Sequence, residues 1–268
     1  MPWIPACAGM TKIVRALNRS EPLDPRLRGD DGKNIPMAQF MLPNCLCNIG
    51  EDVMRAIIFA NGLMAGWPEQ LDVFPDEDLL IAADGGLKHC SSMGIIPHLV
   101  VGDMDSADPG EIAVLEKKGV LVNRFPARKD ETDLWLAVRA ALERGVNEII
   151  ILGALGARWD MSFSNVLLLT SPELKEIDAR IVDNNQELFV LQGGRTARLI
   201  GNKGDLLSLM PLAARVSGLT LKGFEYPLDN ATLELGTTRG ISNVFVEDVC
   251  SINLDQGKLL VTVTHSGS

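Results

Sequence analysis

The sequence predicts an α/β fold with a mostly parallel sheet covered by helices on both faces, followed by a small antiparallel β-sandwich domain. Two observations predict this order. Between residues 54 and 183, short apolar runs alternate with helical stretches, which is typical of parallel strands joined by helical crossovers. After about Asn185, short alternating runs follow one another with glycine-rich turns between them, which is typical of an antiparallel sandwich.

The elements of the first domain can be placed from local signals. The apolar runs predict strands at 56–60, 79–83, 99–101, 120–123, 149–152 and 180–182. Asp108 and Pro109 form an N-cap followed by proline, which predicts a helix that ends near Lys118. Residues 132–144 have a helical apolar period, and Gly145 follows them at a C-cap position. A further helix is predicted from Asp160 to Leu169.

The second domain contains no good candidate for a helix. Alternating runs predict strands at 187–191, 197–200, 205–210, 215–221, 231–235, 243–249 and 258–264. We therefore expect an α/β domain over residues 54–185 and a β-sandwich domain over residues 186–268.

Residues 1–53 differ from the rest of the chain. They are rich in proline and show neither the period of a strand nor that of a helix. We expect a non-core extension that is disordered or results from a misassigned start, with translation beginning at Met54. An ordered extension is the alternative.

The composition excludes several classes of protein. The 268 residues are 46% hydrophobic and 22% charged, with a formal net charge of −10, which argues against non-specific binding to nucleic acid. We find no apolar run that would span a membrane, no secretory signal, and no cysteine spacing typical of zinc or disulfides. The expectation is a cytoplasmic protein with neither nucleic acid nor membrane as a partner.

Acidic residues follow the predicted strands of the first domain. Asp84 follows the second apolar run, Asp103 and Asp105 follow the third, and Asp133 opens a helix. Because the carboxyl ends of strands in an open α/β sheet share one edge, we expect these catalytic candidates to converge there. Asp103 and Asp105 would point to one side of an extended chain, and with Asp133 they are the predicted Mg²⁺ ligands. The alternative is that Asp103 only caps a loop or a helix.

Groups suited to a polyphosphate surround these carboxylates. The glycines after Asp84 would present N–H groups at a helix start, where anions are favoured, unless they only form a tight turn. Thr132 could bind phosphate or metal, or cap the following helix, and Arg128 could bind phosphate or belong to a solvated charge run. The predicted ATP-binding residues are Gly85, Gly86, Ser106, Arg128, Lys129, Asp130, Thr132, Arg158 and Asp160.

At these motifs the chain resembles the thiamine pyrophosphokinase family. The resemblance lies in residues 83–86, 97–106, 129–133 and 153–160 of the first domain, and in residues 204–212, 223–228 and 240–243 of the second. It implies that a homodimer transfers the pyrophosphoryl group of ATP to thiamine, giving thiamine diphosphate and AMP. It also implies that Ser242 and Asn243 contact thiamine. The chain departs from the family at Met161, where histidine is common, and this methionine could pack against the nucleotide or fill core.

Two other functions stay open on the residues alone. A pyrophosphokinase for another hydroxymethyl heterocycle, such as a pterin, would keep the aspartates, but the segments 226–228 and 242–243 disfavour it. A nucleotide-binding protein with weakened catalysis would be expected to lose Asp103, Asp105 or Asp133, which are all present, but Met161 in place of the histidine keeps this alternative open. The chain also has no Gly-x-x-x-x-Gly-Lys-Ser/Thr loop, which favours AMP over ADP as the product.

Overall fold

The computed structural model describes residues 55–64, 66–68, 71–105, 107–156 and 158–266. The extension at residues 1–53 and the predicted ATP contact Ser106 lie outside the described residues. The described chain forms two compact units. One contains Arg55–Phe59 and Leu71–Leu168, and the other begins at Leu169 and continues to the last described residue.

The first unit is built on parallel strands. These are β1 (Arg55–Phe59), β2 (Asp78–Ala83), β3 (Leu99–Gly102), β4 (Leu121–Arg124) and β5 (Glu148–Leu152). Their order in the sheet is β5-β1-β2-β3-β4, and every neighbouring pair is parallel. Strands β1, β2 and β5 are almost entirely buried, which explains why they appear in the sequence as continuous apolar runs.

The helices of this unit follow its strands, and those that begin at Pro109 and Asp133 start where the capping residues predict. They are α1 (Leu87–Ser92), α2 (Pro109–Lys117), α3 (Asp133–Leu142) and α4 (Trp159–Leu168). The Asp108 carboxylate accepts a hydrogen bond from Gly110 N at the start of α2. Helix α3 packs on strands β1 to β3 through its apolar face. None of the described helices has both the length and the apolar character that crossing a membrane would require.

The second unit is an antiparallel sandwich. Its strands are β6 (Asp178–Asp183), β7 (Gln186–Gln192), β8 (Arg195–Ile200), β9 (Leu206–Pro211), β10 (Arg215–Lys222), β11 (Leu228–Glu234), β12 (Asn243–Val244), β13 (Val249–Leu254) and β14 (Lys258–Thr264). The strands β12-β9-β14-β7-β6 lie side by side, and β11-β10-β13-β8 form a four-stranded sheet. Leu209 and Val261 from the first group share one core with Val216 and Ile252 from the second. The predicted fold class is therefore confirmed.

Two details of the second unit differ from the sequence prediction. Strand β6, predicted as the last strand of the α/β domain, pairs antiparallel with β7 and belongs to the second unit. The strand predicted at 243–249 is the short β12 and the first residue of β13, and most of β13 was not predicted. The chain leaves one sheet at Val244 and joins the other at Val249, and a local apolar pattern does not record such a change of partner.

A buried polar network holds the carboxyl-terminal end of the second unit. The fully buried Asp205 accepts hydrogen bonds from Asn202 N at 2.9 Å and from Ser266 N at 2.8 Å. The two ring nitrogens of His265 contact Asp205 at 3.2 Å and Glu187 at 3.3 Å. The hydrogen bond to Glu187, assisted by Asp205 and opposed by burial, raises the pKa of His265. Because both neighbours are carboxylates, the protonated ring that donates from both nitrogens is the form favoured here.

Candidate functional site

Three aspartates lie together at the carboxyl ends of β2 and β3. Asp84, Asp103 and Asp105 each place a carboxylate oxygen within 4.8 Å of those of the other two. Asp84 and Asp103 are half-buried, whereas Asp105 is exposed. Carboxylates this close repel one another unless a cation compensates them, and oxygen donors are the ligands that Mg²⁺ prefers. The donor set therefore fits a magnesium ion.

The loop after β3 brings Asp103 and Asp105 together by a turn. The sequence predicts an extended segment here. That prediction is wrong, because β3 ends at Gly102 and Met104 has a φ of 63°. The Asp105 N–H donates to Asp103 Oδ1 at 3.2 Å, which closes the turn. Asp84 also has a positive φ, 45°, so both loops contain a non-glycine residue in the left-handed region. Such conformations cluster at functional sites.

Gly102 brings Asp133 to the edge of this group. A Cβ atom on Gly102 would lie 3.0 Å from Asp84 Cβ and 3.3 Å from Asp133 Oδ1. Lys129 Nζ lies 2.7 Å from Asp133 Oδ1, and the lysine side chain is only 14% exposed. Asp133 therefore has a cationic partner, and it lies beside the group that Asp84 forms with Asp103 and Asp105.

The other predicted residues of this segment have different surroundings. The Thr132 hydroxyl accepts a hydrogen bond from Trp135 N at 3.2 Å, so it caps α3. Arg128 and Asp130 are exposed. Of the two basic residues in this segment, Lys129 is the one held beside the aspartates, by its ion pair with Asp133.

Loops after β1 and β5 are joined by backbone hydrogen bonds at the same edge. Gly62 N donates to Gly153 O at 2.6 Å, and Leu63 N donates to Leu155 O at 2.7 Å. A Cβ atom on Gly62 would collide with both of these carbonyl groups. The absence of a side chain at Gly62 is therefore what allows the two loops to approach.

The loop after β2 packs against the loop after β1. Residues Asp84–Gly86 form a single 3-10 turn that continues into α1, which confirms the predicted helix start. A Cβ atom on Gly85 would collide with the Asn61 side chain, and one on Gly86 would collide with the Phe59 carbonyl oxygen. Neither Asn61 nor the adjoining loop was singled out by the sequence motifs. An Asn-Gly pair directly after the first strand was the only local signal.

Arg158 and Asp160 pair with each other in the structure. Arg158 Nη2 lies 2.6 Å from Asp160 Oδ2, and both side chains are exposed. The hydrogen bond from Arg158 lowers the pKa of Asp160. Met161 is 37% exposed, so it does not fill core. The loop before Arg158 is braced from α4, where Asn165 Nδ2 donates to Ala154 O at 2.7 Å.

The predicted thiamine contacts lie beside β12 in the second unit. Asn243 is 4% exposed, and its amide donates to Tyr226 O at 2.8 Å and accepts from Tyr226 N at 3.0 Å. This residue therefore braces the Tyr226 backbone, and its polar atoms are engaged. Ser242 is exposed, with a φ of 58°, and its N–H donates to Ser208 Oγ at 3.1 Å.

Both units match one family of known proteins. Residues 71–181 match the family model of the thiamin pyrophosphokinase catalytic domain, and residues 196–259 match that of the thiamin pyrophosphokinase vitamin B1 binding domain. The chain is 32% identical over 204 residues to a thiamine pyrophosphokinase of Bacillus subtilis, covering 74% of this chain and 95% of that protein. The crystal structure of thiamine pyrophosphokinase from Bacillus subtilis is 29% identical with a TM-score of 0.71, and that of a family protein from Enterococcus faecalis is 25% identical with a TM-score of 0.69. Each of these two comparisons covers 80% of this chain and 100% of the other. The chain belongs to the thiamine pyrophosphokinase family.

Proposed function

We propose that the protein transfers the pyrophosphoryl group of ATP to the hydroxyl of thiamine, with thiamine diphosphate and AMP as products. This proposal rests chiefly on the group formed by Asp84, Asp103 and Asp105, which lies in the unit that matches the family's catalytic domain. The match of residues 196–259 to a vitamin B1 binding domain supports thiamine as the acceptor. The same match makes a pterin acceptor the less favoured alternative.

Mg²⁺ is the cofactor that the donor set supports. Asp84, Asp103 and Asp105 would hold it, with Asp133 beside them. When bound, the ion neutralises phosphate charge and polarises the phosphorus that is attacked. The predicted ligand set of Asp103, Asp105 and Asp133 is thereby extended by Asp84.

The chain's own residues would act mainly by position and charge. Lys129, held by Asp133, offers an ammonium group to phosphate oxygens at the edge of the carboxylate group. Asp133 would orient this lysine and offset its charge before the nucleotide binds. We assign no general base, because positioning and electrostatic stabilisation supply most of the acceleration in phosphoryl transfer.

On the acceptor side, the proposal gives different roles to the two predicted contacts. Ser242 is exposed and would contact thiamine directly. Asn243 would act by holding the backbone of Tyr226, whose ring is exposed on the same unit. An exposed aromatic face is suited to a thiazolium cation. The predicted homodimer and the cytoplasmic location belong to this proposal, and sedimentation equilibrium would test the dimer.

A product analysis tests the function. The purified chain is incubated with ATP, Mg²⁺ and thiamine, and nucleotides and thiamine phosphates are separated by chromatography. We expect equal amounts of AMP and thiamine diphosphate, with no product when Mg²⁺ is chelated. ADP with thiamine monophosphate would contradict the mechanism. Product from a hydroxymethylpterin in place of thiamine would favour the alternative.

A further inference from the structure

The loop after β1, residues Ala60–Leu63, lies between two loops with predicted ligand contacts. In the strand order β5-β1-β2-β3, β1 separates β2, which precedes Asp84, from β5, which precedes the loop of Arg158. Ligands of open α/β sheets bind along the carboxyl ends of the strands. A polyphosphate that extends from the aspartates toward the β5 loop must therefore cross this β1 loop.

Asn61 is the polar side chain of the β1 loop. Its amide lies flat against the Cα of Gly85, since a Cβ atom there would meet the Asn61 Oδ1, Cγ and Nδ2 atoms alike. The side chain is exposed, and within the described part of the chain its amide forms no hydrogen bond. Its two N–H groups are thus free to donate, next to Asp84. A neutral donor of this kind can bind a phosphate oxygen without adding to the charge of the site.

His89 holds the β1 loop from helix α1. Its Nε2 lies 2.9 Å from the carbonyl oxygen of Gly62, and because a carbonyl only accepts, the Nε2–H donates. The same ring lies near the β5 loop, since a Cβ atom added to Gly153 would be 3.4 Å from His89 Cδ2 and Nε2. His89 therefore holds Gly62, the residue after Asn61, and its ring lies beside Gly153 in the loop after β5.

We propose that Asn61 is a further contact for the polyphosphate of ATP, and that His89 is a positioning residue that acts through it. This inference rests on the proposed function for the identity of the ligand. Loss of the Asn61 amide removes a hydrogen bond, whereas loss of the His89 donor lets the loop that presents this amide move. Because both changes remove the same interaction, their effects on ATP affinity should not add.

A double-mutant cycle on nucleotide binding tests the inference. The affinity for ATP with Mg²⁺ is measured by calorimetry without thiamine, so that the readout does not depend on turnover. Asn61→Ala and His89→Leu should each weaken binding by about fivefold to tenfold, and the double variant should be no weaker than Asn61→Ala. His89→Gln keeps a side-chain N–H donor and should bind more tightly than His89→Leu. Lys88→Ala, an exposed neighbour on α1, is the matched control and should bind as the wild type does.

The outcomes separate this inference from the proposed function. Wild-type affinity in Asn61→Ala overturns the contact, and multiplying effects in the double variant overturn the positioning role. Equal loss in His89→Gln and His89→Leu also overturns that role, since the donor would then be irrelevant. Product formation by the wild type is followed in parallel. If thiamine diphosphate forms while the variants keep their affinity for ATP, this inference alone fails, whereas absence of product in the wild type refutes the proposed function.

Discussion

Replacing Gly102 with alanine tests how closely the aspartates are packed. The new Cβ atom would lie 3.0 Å from Asp84 Cβ, 3.1 Å from Asp84 Cα and 3.3 Å from Asp133 Oδ1. Carbon atoms in favourable contact are about 3.5–4.0 Å apart, so Asp84 must move by about 0.5 Å or more. The φ of Gly102 is 155°, which a residue with a side chain rarely adopts.

These two effects set the expected magnitude. Overpacking of a close-packed site costs about 1–3 kcal/mol, and an unfavourable backbone conformation costs about the same. We expect Gly102→Ala to lower the free energy of unfolding by about 2–6 kcal/mol. Because the displaced group is Asp84, kcat/KM should also fall, by about 10-fold to 100-fold, since a misplacement of about 1 Å costs about 100-fold and the shift here is about 0.5 Å or more.

Urea unfolding and initial rates of AMP formation measure the two effects, and Gly145→Ala is the control. Gly145 also has a positive φ, 75°, but nothing lies within 4 Å of a Cβ atom there, beyond the end of α3. This variant should lose about 1 kcal/mol of stability and keep its kcat/KM. The reasoning is refuted if Gly102→Ala keeps wild-type kcat/KM, or if Gly145→Ala loses as much activity.

Three further substitutions probe the site and the stability of each unit. Asp103→Asn should keep the fold and lower kcat by at least about 100-fold, as measured in the Mg²⁺-dependent assay. In the wild type, Arg55 Nη2 lies 2.6 Å from Asp78 Oδ2. Asp78→Asn leaves the half-buried Arg55 guanidinium without this carboxylate, so urea unfolding should show a free energy of unfolding lower by about 3 kcal/mol. His265 has a raised pKa, so its contact with Glu187 stabilises the fold below about pH 6.5 and is lost as the pH rises through the folded pKa. His265→Gln should therefore be less stable than the wild type at about pH 6, with a gap that narrows at about pH 9; a gap that widens would contradict the assignment.

The parallel strands were predictable because their burial is a local property of the sequence. Strands β1, β2 and β5 lie within one residue of the predicted runs, since strands buried on both faces need uninterrupted apolar residues. His98 shows the limit of this reasoning. Its place before β3 suggests an edge residue, yet it is buried and its Nδ1 accepts from Leu80 N at 3.0 Å. A polar side chain satisfied by a neighbouring strand gives no such signal in its own segment.

The convergence of the aspartates at one sheet edge was predictable, but the local geometry that joins them was not. Strand ends that share an edge were enough to bring Asp84, Asp103 and Asp105 together. Neither spacing nor composition records the turn at Met104, which brings Asp103 and Asp105 together, or the ion pair that Asp133 forms with Lys129. Only the structure shows these two determinants.

The residues that the sequence motifs missed follow a common rule. The Asn61 side chain meets Gly85 because β1 is the neighbour of β2 in the sheet, and the His89 ring lies beside Gly153 because β1 is also the neighbour of β5. The motifs single out residues of unusual chemistry, such as clustered aspartates, whereas an asparagine or a histidine gains a role here through strand order alone. Asn243 is the converse case, because its polar side chain suggested a ligand contact and the structure uses both of its polar atoms on the backbone of Tyr226. In both units, therefore, the order of strands and loops decides which polar side chains remain available to a ligand.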